Sequence, residues 1–248
     1  MSRHVVWFSC GAASAALAKI VVTARPDAEV VYCDLGRDEH EDNPRFLADV
    51  ERWIGKRVTV IRSEKYASVN DVFAARRYVS GMHGAPCTVE MKKVPRFAFQ
   101  RADDVHHFGY TADKRERTRA VNLKANNPDL FLEFTLIDSD LRKRDCHNMV
   151  SAAGIRAPEM YRLGFVNNNC KGCVKASSPA YWLATRRAFP DVFALRVRQS
   201  REYGWKPLKD ADDQHFYLDE LDALIAGPEL VTESISCGPE CAPSGGRS

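Results

Sequence analysis

Residues 5 to 61 alternate short strands with helices, and this alternation restricts the fold more than any other feature of the sequence. Val5-Val6-Trp7-Phe8 is a β-branched and aromatic run that predicts a strand. Ser9-Cys10-Gly11-Ala12-Ala13-Ser14 is a turn of small residues, and residues 15–24 favour a helix. After a break at Pro26 a second strand is expected over residues 29–32, with Cys33-Asp34-Leu35-Gly36 at its carboxyl end. Phe46, Leu47, Val50 and Ile54 fall at helical spacing, and residues 57–61 read as a third strand. Strands separated by helices in this way require a parallel sheet with right-handed crossovers. Ligands of such sheets bind outside the carboxyl ends of the strands, where both the Ser9 to Ser14 turn and Asp34 fall.

The same pattern continues with strands expected over residues 105–110 and 131–137. Residues 139–154 predict a helix, with a capping Ser or Asp near its start and Gly154 at its end. Residues 162–175 form a loop rich in Asn and Gly that holds Cys170 and Cys173, followed by a helix over residues 178–203 interrupted near Pro190. No internal repeat or low-complexity run is present. The expected architecture is α/β: an open, mostly parallel sheet flanked by helices over residues 1–235. Residues 236–248, carrying Gly, Pro, Cys237 and Cys241, read as a mobile cysteine-bearing tail.

At 248 residues and 45% hydrophobic composition, the chain can bury one full core but is short for two domains. A formal charge of +3, spread along the chain, does not favour a dedicated nucleic-acid binder. The first apolar run is too short for a signal peptide, and no stretch nears the roughly 20 residues that span a bilayer. A cytoplasmic, soluble chain is expected. Eight cysteines in a reducing compartment point to metal binding or thiol chemistry rather than a disulfide framework.

A strand that delivers a small-residue turn into a helix makes an anion site, because unpaired N–H groups and the helix dipole converge there. Ser9 and Ser14 add hydroxyl donors and Gly11 allows close backbone approach, although small residues also serve purely steric needs at such turns. The turn resembles a modified pyrophosphate loop of the adenine nucleotide alpha-hydrolase superfamily, Ser-Gly-Gly-x-Asp-Ser, with Cys10 for a Gly and Ala13 for the Asp. That Asp goes with ATP-pyrophosphate chemistry in the superfamily, so Ala13 speaks against ATP cleavage. The sulfonucleotide (phosphoadenosine phosphosulfate) reductases of the superfamily bind a nucleotide without splitting ATP and tolerate such departures. Tyr32-Cys33-Asp34-Leu35-Gly36 is similar to the Asp-Thr-Gly these reductases place beside the adenosine, which implies nucleotide contacts from Asp34 and Gly36. The next residues, Glu39-His40-Glu41-Asp42-Asn43, read as a solvated loop with no further role.

Cys87-Thr88-Val89-Glu90-Met91-Lys92-Lys93-Val94-Pro95 resembles the reductase stretch in which one Cys, or a Cys-Cys pair in the cluster-bearing branch, precedes Lys-Val-x-Pro. Thr88 stands where the second Cys of the pair would be. Cys170-Lys171-Gly172-Cys173, preceded by Tyr161 and Gly164-Phe165, resembles the second part of that cluster motif. Two residues between thiolates let both sulfurs face one ion or cluster, and on spacing alone structural zinc or a redox dithiol fits as well. Ser236-Cys237-Gly238-Pro239-Glu240-Cys241 is similar to the reductases' C-terminal Glu-Cys-Gly, which implies that Cys237 is the nucleophile. Cys241 is a fourth cluster ligand, a resolving thiol or an exposed residue. The resemblance thus implies a [4Fe-4S] cluster on Cys87, Cys170 and Cys173, with the fourth position open or filled by Cys241, and zinc as runner-up. Cys10 and Cys33 read as packing residues, and Cys146 on a predicted helix as a core thiol.

After residue 110, Thr111-Ala112-Asp113-Lys114-Arg115-Glu116-Arg117-Thr118-Arg119 falls where these reductases carry a basic segment near the substrate's phosphate or sulfate. Arg115 and Arg119 suit such oxyanions through their planar forks, and a solvated helix start is the plainer reading. Lys92 and Lys93 are better placed, since Cys87 would hold them next to the cluster. The arrangement of segments looks like reductase-like proteins of bacteriophage and mobile elements. The implied function is a sulfonucleotide (PAPS or APS) reductase-like oxidoreductase acting on an adenine nucleotide, with a thiol reductant such as thioredoxin or glutaredoxin and no membrane. The alternatives are an ATP-dependent sulfur-modifying enzyme of nucleic acid, and a zinc-stabilised binding module without catalysis. A homodimer and a nucleic-acid partner stay open.

Overall fold

The computed structural model describes residues 2–210 and 212–225. β1 (His4–Phe8), α1 (Ala12–Ala24), β2 (Glu29–Cys33), α2 (Asn43–Ile54) and β3 (Thr59–Ile61) come first. α3 (Val69–Arg76) leads into a helical stretch built from a single turn α4 (Pro86–Thr88), a π-type turn (Val89–Lys93) and α5 (Val94–Phe99). Then follow β4 (Val105–Phe108), α6 (Lys114–Asn126), β5 (Phe131–Glu133), the short α7 (Thr135–Asp138) and α8 (Lys143–Ala152). α9 (Glu159–Arg162), α10 (Pro179–Ala188), α11 (Pro190–Glu202), the small antiparallel pair β6 (Leu208–Lys209) and β7 (His215–Phe216), and α12 (Leu221–Ile225) complete the described chain.

The first five strands form one all-parallel sheet in the order β3-β2-β1-β4-β5. The chain runs outward from β1 to β3, then returns to lay β4 against the other edge of β1, with Trp7 opposite Phe108. Strand order therefore reverses between β1 and β4, the place where open parallel sheets bind ligands. Both sheet faces are covered, which is why the strands are apolar on both sides. Val6, Phe8, Val30 and Tyr32 join α1, α2 and α8 in one core. Val5, Trp7, Val31 and Phe108 join α6 and Phe99 in the other. A third core, around Phe73, Met160, Trp182 and Trp205, encloses Cys87, Cys170 and Cys173. Arg3 fastens the amino end of the sheet, donating to Asp104 at 2.8 and 2.6 Å and to Glu29 at 3.1 Å.

Two expectations are corrected. The strand expected over residues 131–137 ends at Glu133, and Thr135–Asp138 is helical. In a strand, residues 134 and 136 would share a face. Here Leu136 enters the α1 and α8 core whereas Phe134 packs against the opposite one, and only a helical turn sends them apart. The helix expected from residue 139 begins at Lys143, because Asp140 takes a left-handed conformation (φ 52°). Its start is anchored by Asp145, which accepts from Arg142 N at 2.8 Å, and Gly154 ends it at φ 72°. Among the described residues no helix is long and apolar enough to cross a membrane.

β4 carries two buried histidines. His106 accepts from Trp7 Nε1 at 3.1 Å, and His107 lies 3.0 Å from His4 and 3.3 Å from Thr135 Oγ1. Burial lowers both pKa values from 6.5 to about 4. The unfolded chain therefore takes up protons first, and this stability, complete above the unfolded pKa, is lost as pH falls from about 6.5 towards 4. The expected loss is on the order of 1 to 3 kcal/mol per histidine, measured as urea unfolding between pH 7 and 4. His106→Gln, which keeps an acceptor for Trp7, is expected to flatten the slope; an unchanged slope would exclude His106 as its source.

Candidate functional site

At the carboxyl ends of β1 and β4 lies a cleft of about 320 Å³. Its floor is the turn from β1 to α1, supplying Ser9, Gly11, Ala13 and Ser14. The Ser14 hydroxyl sits inside that turn, accepting from Ser9 N at 3.1 Å and Gly11 N at 3.3 Å while donating to Gly11 O at 3.0 Å. Ala12 N donates to the Tyr161 hydroxyl at 3.3 Å. The amides that could meet an anion are thus held by two hydroxyls, partners that an anionic oxygen can displace. Cys10 takes the left-handed conformation (φ 58°), the one glycine adopts most readily and the reason a Gly suits this position of the loop it resembles. Its thiol is fully buried and points to Asn43 O at 3.5 Å, in keeping with a packing role.

Close approach shapes the turn from two sides. A Cβ on Gly11 would stand 3.2 Å from the Tyr161 hydroxyl, and one on Gly109 would stand 3.2 and 3.3 Å from the backbone N and Cα of Ser14. Gly109 follows β4 directly, and a glycine just past a strand is the one signal by which it could have been found. Behind the turn, Asn168 donates to Cys10 O at 2.7 Å and to Asn43 Oδ1 at 2.8 Å, and Asn43 donates to the Tyr32 hydroxyl at 3.4 Å. The Tyr32 hydroxyl in turn donates to the buried Glu39 carboxylate. Residues 39–43, expected to be a solvated loop, therefore contribute Glu39 and Asn43 to the inner wall, because they brace the turn. Burial raises the Glu39 pKa against the opposing charge of Lys92.

The cleft gathers Lys92, Arg115 and Arg119 as expected, together with Lys143 and Asn168, which sequence reasoning missed. Arg119 donates to Glu116 at 2.8 and 3.0 Å and lies 5.1 Å over the Tyr110 ring. Lys143 donates to Val166 O and Asn167 Oδ1, and burial lowers its pKa. Asp34 and Gly36, expected to touch the nucleotide, are not part of the cleft wall. Asp34 accepts from Gly36 N at 2.7 Å and pairs with Arg62 at 2.9 Å, a closed turn with its own counter-charge.

Cys87 at α4, together with Cys170 and Cys173 on the loop before α10, lines one small cavity with Phe73, Lys92 and Arg196. All three are buried. The loop is locked by backbone bonds: Lys171 N donates to Asp38 O at 2.9 Å and Cys173 N to the Tyr181 hydroxyl at 2.7 Å. Gly172 has φ 61°, and a Cβ there would stand 2.8 Å from Val192 Cγ1. Three thiols of two segments around one cavity are a fitting donor set for a thiolate-bound metal group. Among the described residues, His4, His107 and Glu133 form a separate group whose ligand atoms all lie within 4.8 Å of one another. Thr88 is buried beside Cys87. Cys146 is a core thiol pushed up to about 12 by burial, and Cys237 and Cys241 lie outside the described residues. Lys92 belongs to both the cleft and the cysteine cavity.

The crowding at Gly172 yields a test by comparison with Gly164, which also has positive φ (89°) but no atom within 4 Å of an added Cβ. Gly164→Ala is expected to cost about 1 kcal/mol from backbone conformation alone. Gly172→Ala adds a steric clash and should cost about 2 to 4 kcal/mol in thermal unfolding. Equal costs would mean that the cysteine loop gives way freely.

In comparisons with known proteins the chain matches no family model and no curated protein, so the link from this site to chemistry runs through its own residues.

Proposed function

We propose that the protein is a sulfonucleotide reductase-like oxidoreductase that binds an adenine nucleotide in the cleft and a [4Fe-4S] cluster on Cys87, Cys170 and Cys173. The observation that carries this reading is Lys92, which lines both the cation-rich cleft and the cysteine cavity. A nucleotide sulfate lying along Lys92 would stand between the phosphate-binding turn and the thiols, the arrangement that sulfur chemistry on a nucleotide requires. The first-turn amides of α1 and the Ser9 and Ser14 hydroxyls bind phosphate oxygens, while Arg115 and Arg119 neutralise the remaining charge. When bound, the cluster would supply, at an iron without a fourth cysteine, a Lewis-acidic position able to bind sulfide; Cys241 is the candidate to fill that position.

The redox step belongs to Cys237. Its thiolate attacks the sulfur of the sulfonucleotide, a sulfur–sulfur bond forms, the sulfur–oxygen bond to the phosphate breaks, and the nucleotide leaves as an AMP-type product. A dithiol carrier such as thioredoxin or glutaredoxin then supplies two electrons, releasing sulfite and restoring the Cys237 thiol. A reducing cytoplasm is the compartment in which such a carrier works.

One observation favours a second reading, ATP-dependent sulfur modification of nucleic acid. Lys114 and Arg115 occupy the first turn of α6 and Lys143 and Arg144 that of α8, positions where the helix dipole disfavours cations, beside the same cleft. A longer polyanion at the rim would explain them. Ala13, facing the cleft where the resembled superfamily has an Asp, weighs against the ATP cleavage this reading needs.

Protein purified without oxygen is expected to be brown, with iron and sulfide in stoichiometric amounts, and Cys170→Ser should lose both. Zinc without iron overturns the cluster. Lys92→Met should keep the iron and weaken binding of adenosine 5′-phosphosulfate or AMP by about tenfold or more in calorimetry, as expected for one lost charged contact. Cys237→Ser should keep iron and nucleotide binding and lose sulfite release. AMP and pyrophosphate appearing from ATP in the presence of RNA would favour the second reading instead.

A further inference from the structure

Arg196 of α11 is a cation in the wrong place for an empty site. Only 2% of the residue is exposed, and it lines the cavity of Cys87, Cys170 and Cys173. Its Nε donates to Gly172 O at 3.1 Å, inside the Cys170 to Cys173 loop. Its Nη1 donates to Asn70 Oδ1 at 2.7 Å and to Gln199 Oε1, and its guanidinium lies 5.4 Å over the Phe73 ring. Every one of these partners is neutral. Among the described residues Arg196 makes no ion pair, and the groups whose charge acts on it favourably are Asp38 and the three cysteines. Asp38 is itself spoken for, accepting from Val69 N at 2.8 Å, with a pKa raised by its own burial.

An unpaired charge in the interior costs several kcal/mol, and a sequence that tolerates one there has a compensating anion. Cysteine thiols become that anion only when they ionise, and metal ligation ionises them. From the geometry we infer that Arg196 is the built-in counter-charge of an anionic metal–thiolate centre held by Cys87, Cys170 and Cys173. The inference rests on the proposed reading of those cysteines and adds a residue and a consequence to it. The guanidinium penalises the empty state and stabilises the loaded one, so metal uptake is coupled to the packing of α11 against the cysteine loop.

This coupling has a signature that a merely structural arginine lacks. The full chain is compared empty, reconstituted anaerobically with ferrous iron and sulfide, and loaded with zinc alone. Arg196→Met should leave the melting temperature of the empty protein unchanged or raise it, because a buried unpaired charge becomes apolar. In the loaded protein the same change should lower the melting temperature and weaken metal retention against a chelator by about 10- to 100-fold. With iron bound, the midpoint potential should shift to more negative values, whereas Arg196→Lys, which keeps the charge, should retain most of the wild-type potential. Equal destabilisation of empty and loaded protein by Arg196→Met, or an empty variant that does not fold, makes Arg196 only a brace for the loop and overturns the inference while leaving the cysteine reading intact. A wild-type chain that takes up neither iron nor zinc overturns the cysteine reading, and the counter-charge falls with it.

Discussion

Gly109 lies so close to the backbone of Ser14 that an added methyl group would force the two segments apart by a few tenths of an ångström, and the rest of the site depends on that contact. It brings the end of β4 onto the start of α1, across the seam where strand order reverses. Because the loop after β4 can come this close, the start of α6 reaches the same cleft, which Arg115 and Arg119 line. The braces behind the turn serve the same end. Asn168, Asn43, Tyr32 and Glu39 form a continuous polar chain through an apolar region, so the turn's shape is held from below as well as from the side. Such buried hydrogen bonds tie the turn to one geometry, although Asn168 Oδ1 itself is buried without a partner among the described residues.

A second body of structure grows from the carboxyl edge of the sheet. The sheet layers bury their own apolar faces, whereas the segment from α3 to the π-type turn joins α9 to α12 in a separate core around the cysteines. The π-type turn at Val89–Lys93 sits where the two regions meet. One extra residue in that helical turn lets Cys87 and Lys92 address the same cavity while Lys92 also lines the cleft. Such turns recur at functional sites because they rotate side chains off the regular helical face.

Most of the sheet could be read from the sequence because its signal is local. Each strand is a short β-branched or aromatic run followed by helical periodicity, and both periods are visible within a few residues. The misreading at residues 134–137 has a non-local origin: Leu136 and Phe134 answer to different cores, which no window of sequence reveals. The same holds at the site. Ser9, Gly11, Ser14, Lys92, Arg115, Arg119 and the three clustered cysteines sit in recognisable patterns, and the fold gathers them into two adjoining cavities. Lys143, Asn168 and Arg196 belong to no pattern; they matter because of what long-range packing sets beside them. Asp34 illustrates the reverse, a residue in a suggestive pattern whose charge is already committed to Arg62.

The position of β1 has a consequence for how the chain comes into being. It is the central strand and precedes the other four of the sheet in the chain, yet the partner for one of its two edges, β4, follows about a hundred residues later, as the separation of Arg3 from Asp104 (101 residues) records. At ribosomal speeds of about 5–20 residues per second, the Val5–Phe8 edge waits roughly five to twenty seconds for that partner. During this interval β1, β2 and β3 can form a half-sheet with α1 and α2, but one edge of unpaired backbone N–H and C=O groups stays open to any other extended segment. The fold thus places its candidate site and its period of greatest exposure to aggregation at the same pair of strands.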